Sequence, residues 1–428
     1  MHNRPQILIL VSLLLMPFLC GAQEEIPNID HVYRPSIHTV QLYKEGFEMS
    51  APIIRLNSTE RLVLSFDDLT EDQVQFHFTI RHCALDWTTT PDLLPSDYIN
   101  GVDEDDITGP EFSFNTTVPY IHYTLTFPTK LMQPRISGNF LLIVYSSDPL
   151  QPDLTCRFMV VEPSTVGIDA EVTQSDRMED RFTHQQVNFK VNMAGFPLMD
   201  PKREVKVVVL QNDRWDNALY AGAPRFVRGN ELDYYYDEHN SFPGGNEFRS
   251  LDLKSLRTQS MRVRRIDWDG TNWQVWMLED VNRSAKNYVT DPDINGRMLI
   301  KSDDNASRSD LESDYAWVHF IFPFNAPVTG MKVYLFGALT GRTLGPSNEM
   351  VFNPVTRKYE LDLFLKQGFY NYMYLTSQPG QDVADCSLTE GSHWETENQY
   401  MILVYLHELG GLYDRLVAVR DVNSRDRK

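Results

Sequence analysis

The sequence predicts an all-β chain built from two to three tandem β-sandwich domains. Three observations predict it: short runs of strict polar–apolar alternation, turn clusters of Pro, Gly, Asn and Asp between them, and almost no helical periodicity. At 428 residues the chain exceeds one ordinary core, since domains usually hold ~100–200 residues. Aromatic residues make up 12% of it, with 20 Tyr and 23 Phe, a composition that suits pleated surfaces.

The alternation is clearest in Gln75–Arg81, Ile121–Phe127 and Gln186–Met193. A period of two puts one set of side chains on a core and the other in solvent. Leu62–Phe66, Phe140–Tyr145, Val205–Gln211, Trp273–Leu278, Trp317–Phe322, Val333–Phe336, Tyr359–Phe364 and Met401–Leu406 also read as strands. Leu251–Arg257 has spacing for a turn or two of helix, and Arg415–Val419 reads as a last strand. Regular alternation of strands and helices is missing, which excludes a parallel α/β sheet.

The chain opens with an export signal. His2 and Arg4 precede an apolar run from Ile7 to Leu19, and Cys20-Gly21-Ala22 supplies small residues for cleavage. The run is shorter than the ~20 residues of a bilayer span, so it exports rather than anchors. Cleavage after Ala22 starts the mature chain at Gln23, and Leu19 fits poorly in a lipoprotein signal. No later run reaches spanning length, so no transmembrane segment is expected. The expected organisation is a signal peptide over 1–22 and sandwiches over 25–163, 164–305 and 314–428. The breaks are set by Glu162-Pro163-Ser164 and by the polar stretch Ile300–Ser313. The last two sandwiches have the option of packing as one unit.

A formal net charge of −20 repels nucleic acid and anionic headgroups, and losing Arg4 with the signal deepens it. Basic protein surfaces remain open as partners. Cys83, Cys156 and Cys386 are left after processing, an odd number at wide spacing, so they read as small buried hydrophobes. A Cys83–Cys156 bridge is the one pairing within the first sandwich.

Chemistry-bearing motifs are scarce. His82 and Cys83 are adjacent on a strand and face opposite ways, so they cannot share a metal. Asp291-Pro292-Asp293-Ile294-Asn295-Gly296 opens like a calcium loop, offering Asp291, Asp293 and Asn295 as oxygen ligands. Ser302 stands where that loop needs a bidentate Glu, so an acidic turn with an Asn-Gly bend is the plainer reading. Asp103–Asp106 reads as a solvated acidic loop, and Asp67-Asp68 as a turn cap after a strand. Gly-x-Ser-x-Gly, His-Glu-x-x-His and phosphate loops are missing from the sequence, and Ser392-His393 has no identifiable third group. The expectation is a non-enzymatic protein with no cofactor. Three aromatics in polar or glycine-rich settings, Trp215, Tyr235 and Phe242, are the candidate contacts for a partner.

In the last third, a strand is followed by Gly368-Phe369-Tyr370-Asn371-Tyr372-Met373-Tyr374, with Gly337-Ala338-Leu339 at an earlier strand end. This resembles early-set immunoglobulin-like domains, in which the glycine turns the chain and the tyrosines line one face.

Longer blocks carry a more specific resemblance: TVQLY (Thr39–Tyr43), PIIRLNSTERLVLSFDDL (Pro52–Leu69), HCALDW (His82–Trp87), EFSFNTTVPYIHYTLTFP (Glu111–Pro128), GNFLLIVY (Gly138–Tyr145) and RFMVVEP (Arg157–Pro163). FPGGNEFRSLDLKSLR (Phe242–Arg257) and SDYAWVHF (Ser313–Phe320) follow in order. Together they resemble the type IX secretion system plug family of Bacteroidota. The resemblance implies a periplasmic protein on the inner side of the outer membrane, whose partner is the translocon barrel it occludes until cargo arrives. The alternative class is a carbohydrate-binding envelope protein of immunoglobulin-like modules.

Overall fold

Strand Gly138–Tyr145 is buried at every position, and this explains how the first two sandwiches join. Phe140, Leu142 and Val144 enter the core of the first sandwich, while Leu141, Ile143 and Tyr145 enter a second core shared with the next. A strand covered on both faces reads as a continuous apolar run instead of an alternating one. The computed structural model describes residues 26–428 except 71, 237, 238, 305, 306, 325, 382, 427 and 428. The export signal and Cys20 lie outside the described residues.

In the first sandwich, one sheet orders His31–Val32, Leu154–Val161, Gly138–Tyr145, Phe76–Cys83 and Asp105–Ile107, with Ile53–Arg55 parallel to Leu154–Val161. The facing sheet orders Ile37–Lys44, Leu62–Asp68, Ile121–Phe127 and Glu111–Phe112. The alternation works as expected: Phe76, Phe78 and Ile80 meet Ile121, Tyr123, Leu125 and Phe127 in one core. Cys83 and Cys156 are free thiols, because Cys156 points into this core and Cys83 into the shared one behind it.

The second sandwich is not a continuous stretch of chain. One sheet orders Gly167–Gln174, His184–Asn192, Glu231–Asp233 and Phe226–Arg228, and Ser241–Pro243 also pairs with His184–Asn192. The other orders Leu219–Tyr220, Val205–Gln211, Gln399–Leu406 and Arg415–Asn423. Its last two strands come from the region expected to close the 314–428 module. Val205–Gln211 aligns with Gln399–Leu406 over seven residues. Val205, Val207 and Val209 face the sandwich core with Ile402 and Val404, while Val208 and Leu210 face the shared core with Met401, Leu403 and Tyr405. Both strands are therefore sandwiched between two apolar layers.

The third sandwich is inserted into the second. Arg249–Asp252, Gly368–Ser377 and Met298–Ile300 form one sheet, with Lys332–Phe336 on Gly368–Ser377. Val263–Trp268, Trp273–Met277, Tyr315–Pro323, Lys358–Lys366 and Val351–Asn353 form the other. Leu251–Arg257 thus begins as strand, not helix. The stretch 300–313, expected as an interdomain linker, joins two sheets of this one sandwich. It docks on the first through Arg308, whose guanidinium donates to both oxygens of Glu111 (2.7 and 2.9 Å). Tyr370, Tyr372 and Tyr374 line one buried face, as the early-set pattern implies. Gly368 is required because a Cβ there would lie 2.6 Å from the Leu299 carbonyl oxygen. The helices among the described residues are three or four residues long, and none is long and apolar enough to cross a membrane.

Candidate functional site

The chain crosses from the second sandwich to the third along Phe242–Arg249 and returns along 378–398, and the two passages are stitched together. Gly244 leaves no room for a side chain: a Cβ would sit 2.0 Å from the His393 carbonyl oxygen. The Gly245 carbonyl accepts from the His393 N–H (2.9 Å) and the Thr396 hydroxyl (2.8 Å). Asn246 Nδ2 donates to the Glu390 carbonyl (2.7 Å). Arg249 then makes a buried two-pronged pair with Glu390, Nε to Oε1 at 3.0 Å and Nη2 to Oε2 at 2.8 Å, and reaches Asp280 at 3.2 Å. Burial works against both charges, yet each favours the charged state: the Glu390 and Asp280 carboxylates raise Arg249, and Arg249 with Arg283 holds Glu390 below its usual range. The FPGGNEFR block is therefore a structural crossing.

Beside this crossing lies a group of carboxylates from three separate segments. Ligand-capable oxygens of Glu247, Asp293 and Glu397 all fall within 4.8 Å of one another. Asn295 and Gly296 form the expected bend, both with positive φ (52° and 74°), and the Arg297 N–H closes it on the Ile294 carbonyl at 3.1 Å. That bend turns Asp293 inward, where it accepts from the N–H groups of Phe248 (2.5 Å) and Asn295 (2.8 Å). Burial, opposed by those two bonds and reinforced by Glu247 and Glu397, pushes the Asp293 carboxyl up to about 7. Burial also raises Glu247, although Tyr288 donates to it and Arg425 sits 3.0 Å from its Oε1. Of the three calcium-loop candidates, Asp293 and Asn295 enter the group and Asp291 stays exposed. Glu247 and Glu397 come from distant sequence, so no local spacing pointed to them.

The shape is shared with a solved structure. A hypothetical protein from Parabacteroides merdae ATCC 43184, solved by crystallography at 2.30 Å resolution, matches with a TM-score of 0.89 and 34% identity over 93% of this chain and 100% of that one. The ectodomain of the teleost fish polymeric Ig receptor also matches, at 11% identity and a TM-score of 0.15, over 47% of this chain and 82% of that one. That likeness is too slight to carry an argument. A search of curated proteins finds no match. Residues 37–162 match the family model described as type 9 secretion system plug protein 1st domain. The chain belongs to the type IX secretion system plug family. The matched residues cover nearly all of the first sandwich, and the family is one of secretion-system plug domains, not a known enzyme family.

In this plug-family chain the three candidate aromatics have separate places. Trp215 is half-buried where the first two sandwiches meet; it packs edge-on against Trp87 (5.0 Å between centroids), and the Arg157 guanidinium lies over both rings at 5.2 and 5.4 Å. Phe242 is 2% exposed in the core of the second sandwich, 5.3 Å from the Tyr400 ring, so it is no surface anchor. Its alternating strand partner, and not the neighbouring glycines, decides its direction. Tyr235 is half-buried beneath Lys190 and beside exposed Tyr236. Close by, Phe226 is exposed on a short edge strand, with the Arg225 and Arg228 guanidinium carbons each 5.8 Å from its ring. A cleft of about 360 Å³ between the second and third sandwiches is lined by Arg214, Phe242, Met373 and Cys386, among others. Burial pushes the Cys386 thiol up to about 12, which makes it a poor nucleophile. The Ser392 hydroxyl donates to the Thr183 carbonyl (2.5 Å) of the second sandwich and accepts from the Gly245 N–H (3.2 Å), so it is a structural tie.

Asp67 departs from the expected turn cap. Asp68 does accept from the Thr70 N–H (3.2 Å), but Asp67 is buried and binds Lys366 of the third sandwich.

Proposed function

We propose that this protein is a periplasmic plug subunit of the type IX secretion system, occluding the outer-membrane translocon barrel by protein–protein binding. The observation that carries this reading is the plug first-domain match over residues 37–162. A stopper must keep its shape under load, and the way the sandwiches join supports that. The first and second share an apolar core that includes Leu141, Ile143, Val208 and Leu403. The second and third are linked by two chain passages, and the third is tied to the first through Lys366 and Asp67. The apolar run Ile7–Leu19, read as an export signal, supports delivery of such a body to the periplasm. Contact with the barrel wall falls to exposed residues, and Phe226, Tyr236 and half-buried Tyr235 form one accessible aromatic group. Exposed aromatics flanked by arginine are common anchors of protein interfaces.

The test is deletion in cells whose translocon is intact. Loss of a stopper leaves an open pore, so large solutes excluded by the outer membrane enter. Unchanged permeability with the translocon present contradicts occlusion.

A further inference from the structure

We infer that the edge strand Gly167–Gln174 is a docking site for an extended, basic segment of a partner protein, which adds one more strand to the sheet. The strand is the outermost of its sheet in the second sandwich. It pairs on one side with His184–Asn192, in unbroken register from Gly167↔Asn192 to Gln174↔Gln185. On its other side no strand lies among the described residues.

An open edge is a template for any passing strand, and proteins blunt it with shortness, bulges, Pro or Lys. The other outermost strands among the described residues carry such protection. They are no longer than the five residues of Lys332–Phe336, or they slip register, as Ile37–Lys44, Val263–Trp268 and Arg415–Asn423 do. Gly167–Gln174 has eight residues, no slip, and no Pro, Lys or Arg.

The backbone of this edge is aimed outward at regular intervals. The Ser175 N–H bonds the His184 carbonyl (3.3 Å), which sets the phase of the ladder. Bonded residues alternate in an antiparallel pair. Asp169, Glu171 and Thr173 therefore turn their N–H and C=O groups toward His184–Asn192, and Ile168, Ala170 and Val172 turn theirs to the open edge. The side chains of these last three are partly buried against the core of the second sandwich.

Charge selects the kind of strand that fits. Asp169 and Glu171 project from the outer face of the sheet, where Lys190 stands opposite Asp169 and is shared with Glu231 and Asp233 (3.3 and 3.8 Å). The edge is thus acidic, on a chain of formal net charge −20. An arriving strand with Lys or Arg at alternate positions faces these carboxylates, and apolar residues between them extend the row of Ile168, Ala170 and Val172. A second copy of the same edge would set carboxylate against carboxylate, which is unfavourable. The Phe226 group lies on the opposite edge of this sheet, so the two surfaces are separate.

The experiment titrates the full chain with two synthetic peptides as long as the strand, one alternating lysine with valine and one alternating glutamate with valine. Calorimetry measures binding, and hydrogen exchange resolved by residue locates it. Saturable binding of the lysine peptide is expected, with slowed exchange at the Ile168, Ala170 and Val172 amides, and the glutamate peptide should bind about tenfold more weakly or worse. Val172→Pro deletes an N–H that faces the open edge and leaves the protein's own ladder intact, so it should weaken the lysine peptide about tenfold or more at little change in Tm. Glu171→Lys leaves the backbone untouched, and should weaken the lysine peptide and strengthen the glutamate peptide. Failure of the lysine peptide to saturate, or binding that leaves those three amides unprotected, overturns the assignment. So does a dimer of the protein that Val172→Pro dissolves, because a second copy then occupies the edge.

Discussion

Lys366 of the third sandwich and Asp67 of the first form a buried ion pair, Nζ to Oδ2 at 2.6 Å, with both side chains 1% exposed. His122 meets the other oxygen of Asp67 (2.6 Å), and the Tyr315 hydroxyl donates to Oδ2 (2.7 Å). Lys366 also donates to the Asp310 carbonyl (2.7 Å) and lies 4.0 Å from the centre of the Tyr120 ring. The strand carrying Thr39 slips register between His38 and Gln41. That irregularity aims the Thr39 hydroxyl at Tyr315 (2.7 Å) and completes the cluster.

Removing one partner leaves the other charged and buried, which costs about 3–5 kcal/mol. Lys366→Met should therefore lower stability by about that amount, and the Asp67→Asn, Lys366→Met double variant should recover part of it. Denaturant unfolding of the four proteins measures the coupling. Burial raises the Asp67 carboxyl, but Lys366 and His122 outweigh it and hold Asp67 below its usual range. Its contribution is then present above the unfolded pKa and lost as pH falls through the lower folded value. Asp67→Asn should flatten the acid limb of the stability curve.

Arg249→Lys tests the crossing between sandwiches. Lysine keeps the charge but cannot reproduce the two-pronged bond to Glu390 together with the contact to Asp280. A loss of about 2–4 kcal/mol is expected, close to that of breaking a buried pair. Calorimetric Tm of the variant checks it, and a value within a degree of the parent contradicts the role given to Arg249.

Gly244→Ala places a methyl group 2.0 Å from a backbone oxygen that cannot rotate away. The variant should be destabilised by about 3 kcal/mol or more. Gly222→Ala is the control, since nothing lies within 4 Å of its added methyl. Comparing soluble yield and Tm of the pair separates steric loss from a general effect of removing glycine.

Asp293 makes stability fall with rising pH. Its carboxyl is raised from 3.8 to about 7, so the folded chain holds this proton more tightly than the unfolded chain. The contribution is complete below the unfolded pKa and is lost as pH rises through the folded one, an effect of at most about 4 kcal/mol at ~1.4 kcal/mol per unit. The drop in stability between about pH 4 and pH 7 should shrink in Asp293→Asn. An unchanged pH slope in that variant refutes the shift.

Local patterning made the strands legible: Ile121–Phe127 and Val205–Gln211 fall where alternation and apolar runs place them. What the pattern could not carry was pairing between distant segments. Val205–Gln211 joins Gln399–Leu406 across an inserted sandwich, and the polar stretch before Tyr315 looks like a linker although it joins two sheets of one sandwich. The Asp293–Asn295 turn was readable from Asn-Gly, yet Glu247 and Glu397 belong to its surroundings only through the fold. Phe242 was misleading for a related reason: glycines beside an aromatic suggest exposure, while its pairing with Gln185 sets it inside. Asp67 carries no sequence signal that separates it from Asp68.

The most direct measurement is affinity purification of the tagged protein from gently solubilised envelopes, with identification of what accompanies it. The plug reading predicts recovery of a very large outer-membrane β-barrel in stoichiometric amount, reduced when Phe226 and Tyr236 are changed to Ala. Recovery of the protein without a barrel, or with glycan alone, contradicts it.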